Sequence, residues 1–321
     1  METRELGGSG IAVTRVVLGC GNFGGIGSAP EFFGQGESEE AAFSIMDAAW
    51  EAGLRAFDTA DAYGGGRSEA WIGLWRAARG HEPVLATKVF HSTVGDPRDR
   101  GLAPERIRRQ LEASLDRLGV DRVPLYLVHE PDPDTPLAET LRALDGLVRE
   151  GRVGAIGASN VDRAYLEEAL AISEAEGLTR LEWVQNSYSL LDRAAEEEVL
   201  PFCAEHGLGF TPFGPLSGGW LTGKYALGHP YPDGSRMTMR PGSYEHLATP
   251  DVYEGLETLA ATAAAWSTDL PTLALAWLLS NPDVTAVVVG PRTSSQLEPA
   301  VRGLQLALGA AERRELASLF P

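Results

Sequence analysis

Apolar residues along this chain switch period repeatedly: short runs that are apolar at nearly every position give way to longer stretches with apolar residues three or four apart. Residues 16–18 form the first β-rich run, ending in Gly19, and 38–52 carry helical spacing in Phe43, Met46, Ala49 and Trp50 before Gly53 stops it. The unit recurs as 54–57 then 69–78, 84–87 then 104–118, 125–128 then 137–148, and 153–156 then 162–172. It continues as 183–185 then 194–205, as 209–211 then, past a long loop, 252–279, and as 286–289 then 294–306. One helix shows the quality of the signal: Thr135 is placed to cap, Pro136 suits the first helical position, Leu137, Leu141, Leu144 and Val148 share a face, and Gly151 ends it. The strand runs lack polar alternation, as expected of parallel strands covered on both faces.

Eight strand signals alternating with eight helical ones predict an α/β chain closed as a (β/α)8 TIM barrel, here one domain over residues 1–321. Arg4-Glu5-Leu6 and Ile11-Ala12-Val13, flanking Gly7-Gly8-Ser9-Gly10, predict an N-terminal β-hairpin, and 311–319 predict a closing C-terminal helix. The competing fold is an open doubly wound sheet. Gly19-Cys20-Gly21-Asn22-Phe23-Gly24 has a G-x-G-x-x-G spacing, but no helix opens from it, so it does not read as a dinucleotide fingerprint. The one long irregular stretch, 214–250, is rich in Gly and Pro, and a loop of that length is expected to be functional.

Composition narrows the partners. A net charge of −18 disfavours a nucleic-acid groove or an anionic membrane surface, while still allowing a few Arg, Lys and backbone N–H groups to hold phosphates locally. The N-terminus lacks the apolar core of a signal peptide and no apolar run reaches membrane-spanning length, so a cytoplasmic protein is expected. Two cysteines cannot form a disulfide framework, and six histidines without ligand spacing give no reason to expect a metal.

In such a barrel chemistry gathers where the strands end. Asp58 and Tyr63 follow the second strand, Lys88 ends the third, and His129 ends the fourth. Ser159 and Asn160 follow the fifth, Gln185 ends the sixth, and Gly290, Pro291 and Arg292 follow the eighth. Lys88 in an apolar run needs a counter-charge, which Asp58 can supply. A retained ammonium would then lower the pKa of a nearby phenol and make Tyr63 a proton donor, while His129 can orient a carbonyl oxygen. The bland alternative for Asp58 and Lys88 is a buried structural ion pair, and Trp71 and Trp75 read as helix-to-barrel packing.

The chain resembles the aldo-keto reductases along essentially its whole length. The resemblance rests on F-D-T-A-D-A-Y-G-G-G-R-S-E (57–69), A-T-K (86–88), L-D-R-L-G-V-D (115–121), L-V-H-E-P-D (127–132) and G-A-S-N (157–160). It extends through Q-N-S-Y-S-L-L-D-R (185–193), P-L-S-G-G-W-L-T-G-K-Y (215–225) and V-V-G-P-R-T-S-S-Q-L-E (288–298). It implies a barrel that reduces carbonyls with an extended nicotinamide dinucleotide, Tyr63 as general acid tuned by Lys88, Asp58 holding Lys88, and His129 positioning the carbonyl. By the same resemblance Ser159, Asn160 and Gln185 bind the carboxamide and Phe213 stacks on the nicotinamide. Leu216, Ser217, Gly219 and Lys224 form the pyrophosphate belt, Gly290, Arg292, Ser294 and Gln296 hold the adenosine end, and Gly21, Asn22, Phe23, Gly214 and Pro215 are further cofactor-binding positions. An Arg beside a Ser favours NADP(H), with NAD(H) possible.

Two departures stand out. Pro299 and Ala300 occupy positions where relatives carry an acid and an Asn for adenine, and Pro124 replaces a common Asp at a strand entry. Phe23 and the segment 28–33 are expected to line the substrate mouth. Two other functions draw on the same residues. A glycosidase would use Glu130 but lacks a second free acid. A dinucleotide-binding sensor or channel-associated subunit would keep the same residues with little turnover. The expected partner is a small-molecule carbonyl, bound by a monomer or homo-oligomer.

Overall fold

The computed structural model describes residues 1–320. Strand β1 (Thr3–Glu5) pairs antiparallel with β2 (Ala12–Thr14), so the predicted hairpin is present, with Arg4 opposite Val13. Then follow β3 (Val16–Gly19), α1 (Glu39–Glu51), β4 (Ala56–Asp58), α2 (Arg67–Arg79), β5 (Val84–Val89), α3 (Pro104–Leu118), β6 (Val123–Val128) and α4 (Leu137–Arg149). The chain continues through β7 (Val153–Ser159), α5 (Arg163–Glu176), β8 (Leu181–Gln185), α6 (Val199–His206), β9 (Gly209–Phe210) and α7 (Arg236–Met239). It ends with α8 (Pro250–Ala265), α9 (Leu270–Leu279), β10 (Val287–Val289), α10 (Glu298–Gly303) and α11 (Ala310–Ala317).

Eight parallel strands run in the order β10-β3-β4-β5-β6-β7-β8-β9. The two outer strands meet through the Thr285 N–H donating to the Phe210 carbonyl at 2.8 Å and the Val288 N–H to the Pro212 carbonyl at 2.9 Å. Those bonds close the sheet into the (β/α)8 barrel.

Side-chain alternation along the strands explains the two cores. Val17, Ala56, Ala86, Leu125, Leu127, Ala155, Trp183, Ala286 and Val288 pack together inside, with Leu6 and Val13 of the hairpin region plugging one end. Their neighbours Val16, Leu18, Phe57, Leu85, Tyr126, Val128, Ile156 and Val184 face the helices. Four alanines, Ala56, Ala86, Ala155 and Ala286, share this interior with the Trp183 indole, and Gly157 is required beside it, since a Cβ there would sit 2.7 Å from the Trp183 carbonyl. The remaining internal void is only about 20 Å³, so the barrel is a packed core rather than a channel.

Local signals account for most element ends. Ser38 caps α1 by accepting from the Ala41 N–H, Pro104 opens α3, and Gly119 and Gly177 end α3 and α5 in left-handed conformations. Two expectations need correction. Thr135 does not cap α4: its hydroxyl donates to Asp132 at 2.8 Å, and Pro136 stands at the cap position. The stretch 252–279 is two helices, because Pro271 lacks an N–H and Asp269 instead caps a new start by accepting from Thr272. Shorter departures of the same kind split 194–205 and 294–306 into a 3-10 turn followed by a helix. The long 214–250 loop carries α7 and several 3-10 turns. Among the described residues no helix is long and apolar enough to cross a membrane.

Candidate active site

Parallel pairing puts the ends of β4, β5 and β6 side by side, with Asp58 opposite Ala86 and Lys88 opposite Leu127. Lys88, fully buried, donates from Nζ to Asp58 Oδ1 at 2.6 Å, to the Thr59 carbonyl at 2.8 Å, and to Tyr63 Oη at 3.2 Å. An ammonium has three protons, so each is used. Burial works against the Lys88 charge, but Asp58 and Tyr63 outweigh it and hold its pKa above the ordinary lysine value. Asp58 is fixed in turn by Gln185, whose Nε2 donates to its second oxygen at 2.8 Å.

Tyr63 leaves the strand end in a 3-10 turn built from Gly64, Gly65 and Gly66, all at positive φ. Gly64 is the tightest of these: a Cβ there would stand 2.5 Å from the Phe23 carbonyl. Gly64→Ala is therefore expected to destabilise the fold by about 2–3 kcal/mol through left-handed strain and backbone overlap, read as a lowered urea midpoint.

The Tyr63 ring meets the His129 ring edge-on at 5.5 Å, and His91 meets His129 at 4.8 Å. Burial, helped by Lys88 and His91, drives His129 well below the ordinary histidine pKa, so its imidazole is neutral at pH 7. Its buried Nδ1 has no partner among the described residues. Tyr63 does not follow the expected direction. Removal of water around it raises the phenol pKa; Lys88 pulls it back, Asp58 pushes it up, and the net direction is upward. The phenol is thus a neutral donor at pH 7.

Ser159, Asn160 and Gln185 form one net. The Ser159 hydroxyl donates to the Gln185 carbonyl at 2.6 Å, and the Asn160 amide donates to the His129 carbonyl at 3.0 Å and to Ser159 Oγ at 3.2 Å. Asn160 adopts φ 58, an uncommon left-handed conformation for a residue other than Gly. That net links the proposed carboxamide site to Asp58 through Gln185, a connection across 127 positions that periodicity does not reveal.

Farther along the mouth lies a group of cations. Gly214, Ser217, Gly218 and Gly219 all take positive φ, and a Cβ on Gly219 would lie 2.4 Å from Lys224 Nζ, so glycine lets the ammonium settle onto the backbone. Burial, Arg236 and Arg292 together lower the Lys224 pKa. Cations that repel each other in one cleft fit an anionic ligand such as a pyrophosphate. Asn22 ties the first loop to this cleft, donating to the Gly290 carbonyl at 3.4 Å and accepting from Arg236. The Arg292 N–H donates to Gln296 Oε1 at 2.7 Å, and Ser294 lies beside α1 on an open groove.

Phe23 is the clear correction. Its side chain is fully buried between barrel and helices, so it lines neither the mouth nor a ligand, and only its backbone is left for such a contact. Gly21 lies against the Tyr63 ring, Phe213 packs at the margin of the barrel interior, and Pro215 and Leu216 shape the turn leading to Ser217, whose hydroxyl pairs with Ser189 at 2.7 Å. Arg236, His91 and Glu37 were not anticipated. His91 and Glu37 come from loops and Arg236 opens the four-residue α7, where no period marks a position; the nearest available signal is a basic residue within the Gly- and Pro-rich 214–250 stretch. Asp132 is committed to loop contacts with Leu102, Asp134 and Thr135, and Glu130 lies 3.3 Å from His91. Trp75 packs between α1 and the barrel, donating to Asp47 at 2.8 Å.

Comparison with known proteins places this barrel among the oxidoreductases. Over residues 15–319 the chain matches the model of the Aldo/keto reductase family, and it belongs to that family. It is 37% identical to the uncharacterized oxidoreductase YrpG of Bacillus subtilis (strain 168), covering 100% of this chain and 96% of that protein. It is 33% identical to the NADH-specific methylglyoxal reductase of Escherichia coli (strain K12), covering 97% and 96% of the two chains. A probable voltage-gated potassium channel subunit beta of Oryza sativa subsp. japonica is 32% identical, over 95% of this chain and 92% of that one. The protein is therefore an NAD(P)H-dependent oxidoreductase of the aldo-keto reductase class.

Proposed function

We propose that this protein reduces aldehyde or ketone carbonyls to alcohols with NADP(H), using Tyr63 as the general acid, Lys88 and Asp58 as its electrostatic support, and His129 to orient the carbonyl. The observation that carries the reading is the single buried ammonium of Lys88 hydrogen-bonded at once to Asp58 and to the Tyr63 hydroxyl. Tyr63 holds the proton that the product alkoxide takes up, and the ammonium beside it stabilises the phenolate left behind. A neutral His129 keeps an N–H to offer the carbonyl oxygen without adding a competing positive charge.

The nicotinamide dinucleotide supplies the hydride when bound. Ser159, Asn160 and Gln185 would hold its carboxamide, and Phe213 would lie against the ring. Gly21, Asn22 and the backbone of Phe23, with Gly214 to Ser217, Gly219, Lys224 and Arg236, would hold the pyrophosphate. Gly290, Arg292, Ser294 and Gln296 would hold the adenosine end. NADP(H) is favoured because Arg292 and Ser294 suit a 2′-phosphate. Arg292→Met is expected to weaken NADPH about tenfold or more while NADH changes little, measured by fluorescence titration; equal effects on both would remove the 2′-phosphate assignment.

NAD(H) is the second cofactor reading. The contact of Arg292 with Glu37 favours it, as does the name of the Escherichia coli relative. A dinucleotide-binding subunit with little turnover is the second functional reading, supported by similarity to plant channel β subunits at 32% and 31% identity. Turnover on a panel of aldehydes and ketones separates them: reduction at ordinary enzymatic rates supports the reductase, and binding without reduction supports the sensor.

A further inference from the structure

Arg292 is not free. Its Nε lies 2.6 Å from Glu37 Oε1, its Nη1 donates to the Gly234 carbonyl at 2.6 Å, and its backbone N–H is taken by Gln296. Glu37 is itself fixed. Its N–H donates to the Asn22 carbonyl at 2.8 Å, its carbonyl accepts from Gly24 at 3.1 Å, and its side chain is only 12% exposed against 40% for Arg292. The main chain of Glu37 is therefore held by the first loop, and its carboxylate is held by the guanidinium.

On the α1 side, beyond the cations Lys224 and Arg236, the neighbouring groove is acidic. Ser294 shares its groove of about 550 Å³ with Glu39, Glu40, Asp47 and Glu51 of α1. The one cation there, Arg79, is already claimed by Asp47 through two hydrogen bonds of 2.9 Å. A 2′-phosphate carries close to two negative charges and needs guanidinium donors that no carboxylate shares. A ribose 2′-hydroxyl has the opposite need, since a carboxylate accepts its hydrogen bond, the chemistry by which Rossmann sites separate NAD, met by an acid, from NADP, met by an Arg.

We propose that Glu37 is a specificity-determining residue for the dinucleotide: by holding Arg292 and presenting a fixed carboxylate at the ribose end, it restrains the preference for NADPH and keeps NADH usable. This rests on the reading that Arg292 faces the ribose 2′ position. Neither residue touches the reacting atoms, so Glu37 acts on binding and leaves the chemical step alone.

The test is fluorescence titration of NADPH and NADH with the full chain and its Glu37→Gln, Glu37→Ala and Arg292→Met variants, each repeated at two salt concentrations. Both Glu37 variants are expected to tighten NADPH about tenfold, to leave NADH unchanged or a few-fold weaker, and to keep kcat with saturating cofactor. The NADPH gain should shrink as salt rises. If Arg292→Met discriminates between the cofactors but neither Glu37 variant shifts the ratio, or both weaken NADPH, Glu37 positions Arg292 without opposing the phosphate and the inference is overturned. If Arg292→Met affects both cofactors equally, the assignment of Arg292 itself fails. Using two replacements guards against one that merely disturbs the first loop.

Discussion

Tyr63→Phe is expected to lower kcat for carbonyl reduction by about 10³-fold while leaving cofactor affinity and the thermal midpoint close to wild type. The reasoning is local. Removing the hydroxyl takes away one of three partners of Lys88 Nζ, and the other two, Asp58 Oδ1 at 2.6 Å and the Thr59 carbonyl at 2.8 Å, stay in place. The ring remains, with its contact to His129 at 5.5 Å and its position 4.8 Å from the Lys88 ammonium. The fold therefore loses little, whereas the alkoxide loses its proton source. Water is a poor substitute, because the mouth orders no other neutral donor with an ammonium behind it.

Steady-state kinetics on an aldehyde, with NADPH titration alongside, checks the prediction. A variant retaining more than about a tenth of wild-type kcat would mean that the proton comes from elsewhere, with His129 the next donor to examine. A variant that loses cofactor binding would instead make Tyr63 part of the dinucleotide site. The wild-type pH profile adds a second check. Since burial raises the phenol pKa, reduction should hold steady through neutral pH and fall only in the alkaline range as the phenol ionises.

What could be read from the chain beforehand followed from local chemistry. Pro104, Ser38 and the glycine after α3 act within one turn of where they stand, so those boundaries were legible, whereas α5 runs on to Glu176, past the expected end at 172. Strand ends were legible too, because eight βα units must point one way, and that rule alone brings Asp58, Lys88 and His129 to one mouth. Lys88 had a further mark: it and Lys224 are the only lysines in a chain otherwise supplied with arginine. A compact ammonium with three donors suits a site where three acceptors converge, which a planar guanidinium would not.

The rest depended on contacts that no local rule encodes. The break between α8 and α9 could have been anticipated from Asp269 and Pro271, but the apolar spacing ran across it. The upward direction of the Tyr63 pKa could not, because it depends on how far water is excluded. Gln185 reaching Asp58, Arg236 reaching Asn22 and Glu37 reaching Arg292 each join segments far apart in the chain. Phe23 was assigned to the mouth from its place in the first loop, and tertiary packing turned it into the core instead.

Lys88→Met is expected to carry the largest combined loss: reduction down by about 10²–10³-fold and stability down by about 3–5 kcal/mol. The two losses have different causes and can be separated. Activity falls because the phenolate of Tyr63 loses the cation that stabilises it. Stability falls because Asp58, only 3% exposed, is left as a buried carboxylate with Gln185 as its remaining side-chain partner. Replacing both charges, as in Asp58→Asn with Lys88→Met, should recover most of the stability, since an uncharged pair of similar volume carries no unpaired ion, and none of the activity. The pH dependence fixes the sign. Lys88 has a raised native pKa, so its contribution is complete below the unfolded lysine value of about 10.4 and fades as pH climbs through the native value. Wild-type stability should therefore drop more steeply than that of the double variant above pH ~10 in urea titrations. With Lys224 as the one other lysine, and its pKa lowered rather than raised, the difference between the two curves reports Lys88 and the phenol beside it. Parallel curves would mean that the ammonium gains nothing from Asp58 on folding. Recovery of activity in the double variant would remove Lys88 from the chemistry altogether.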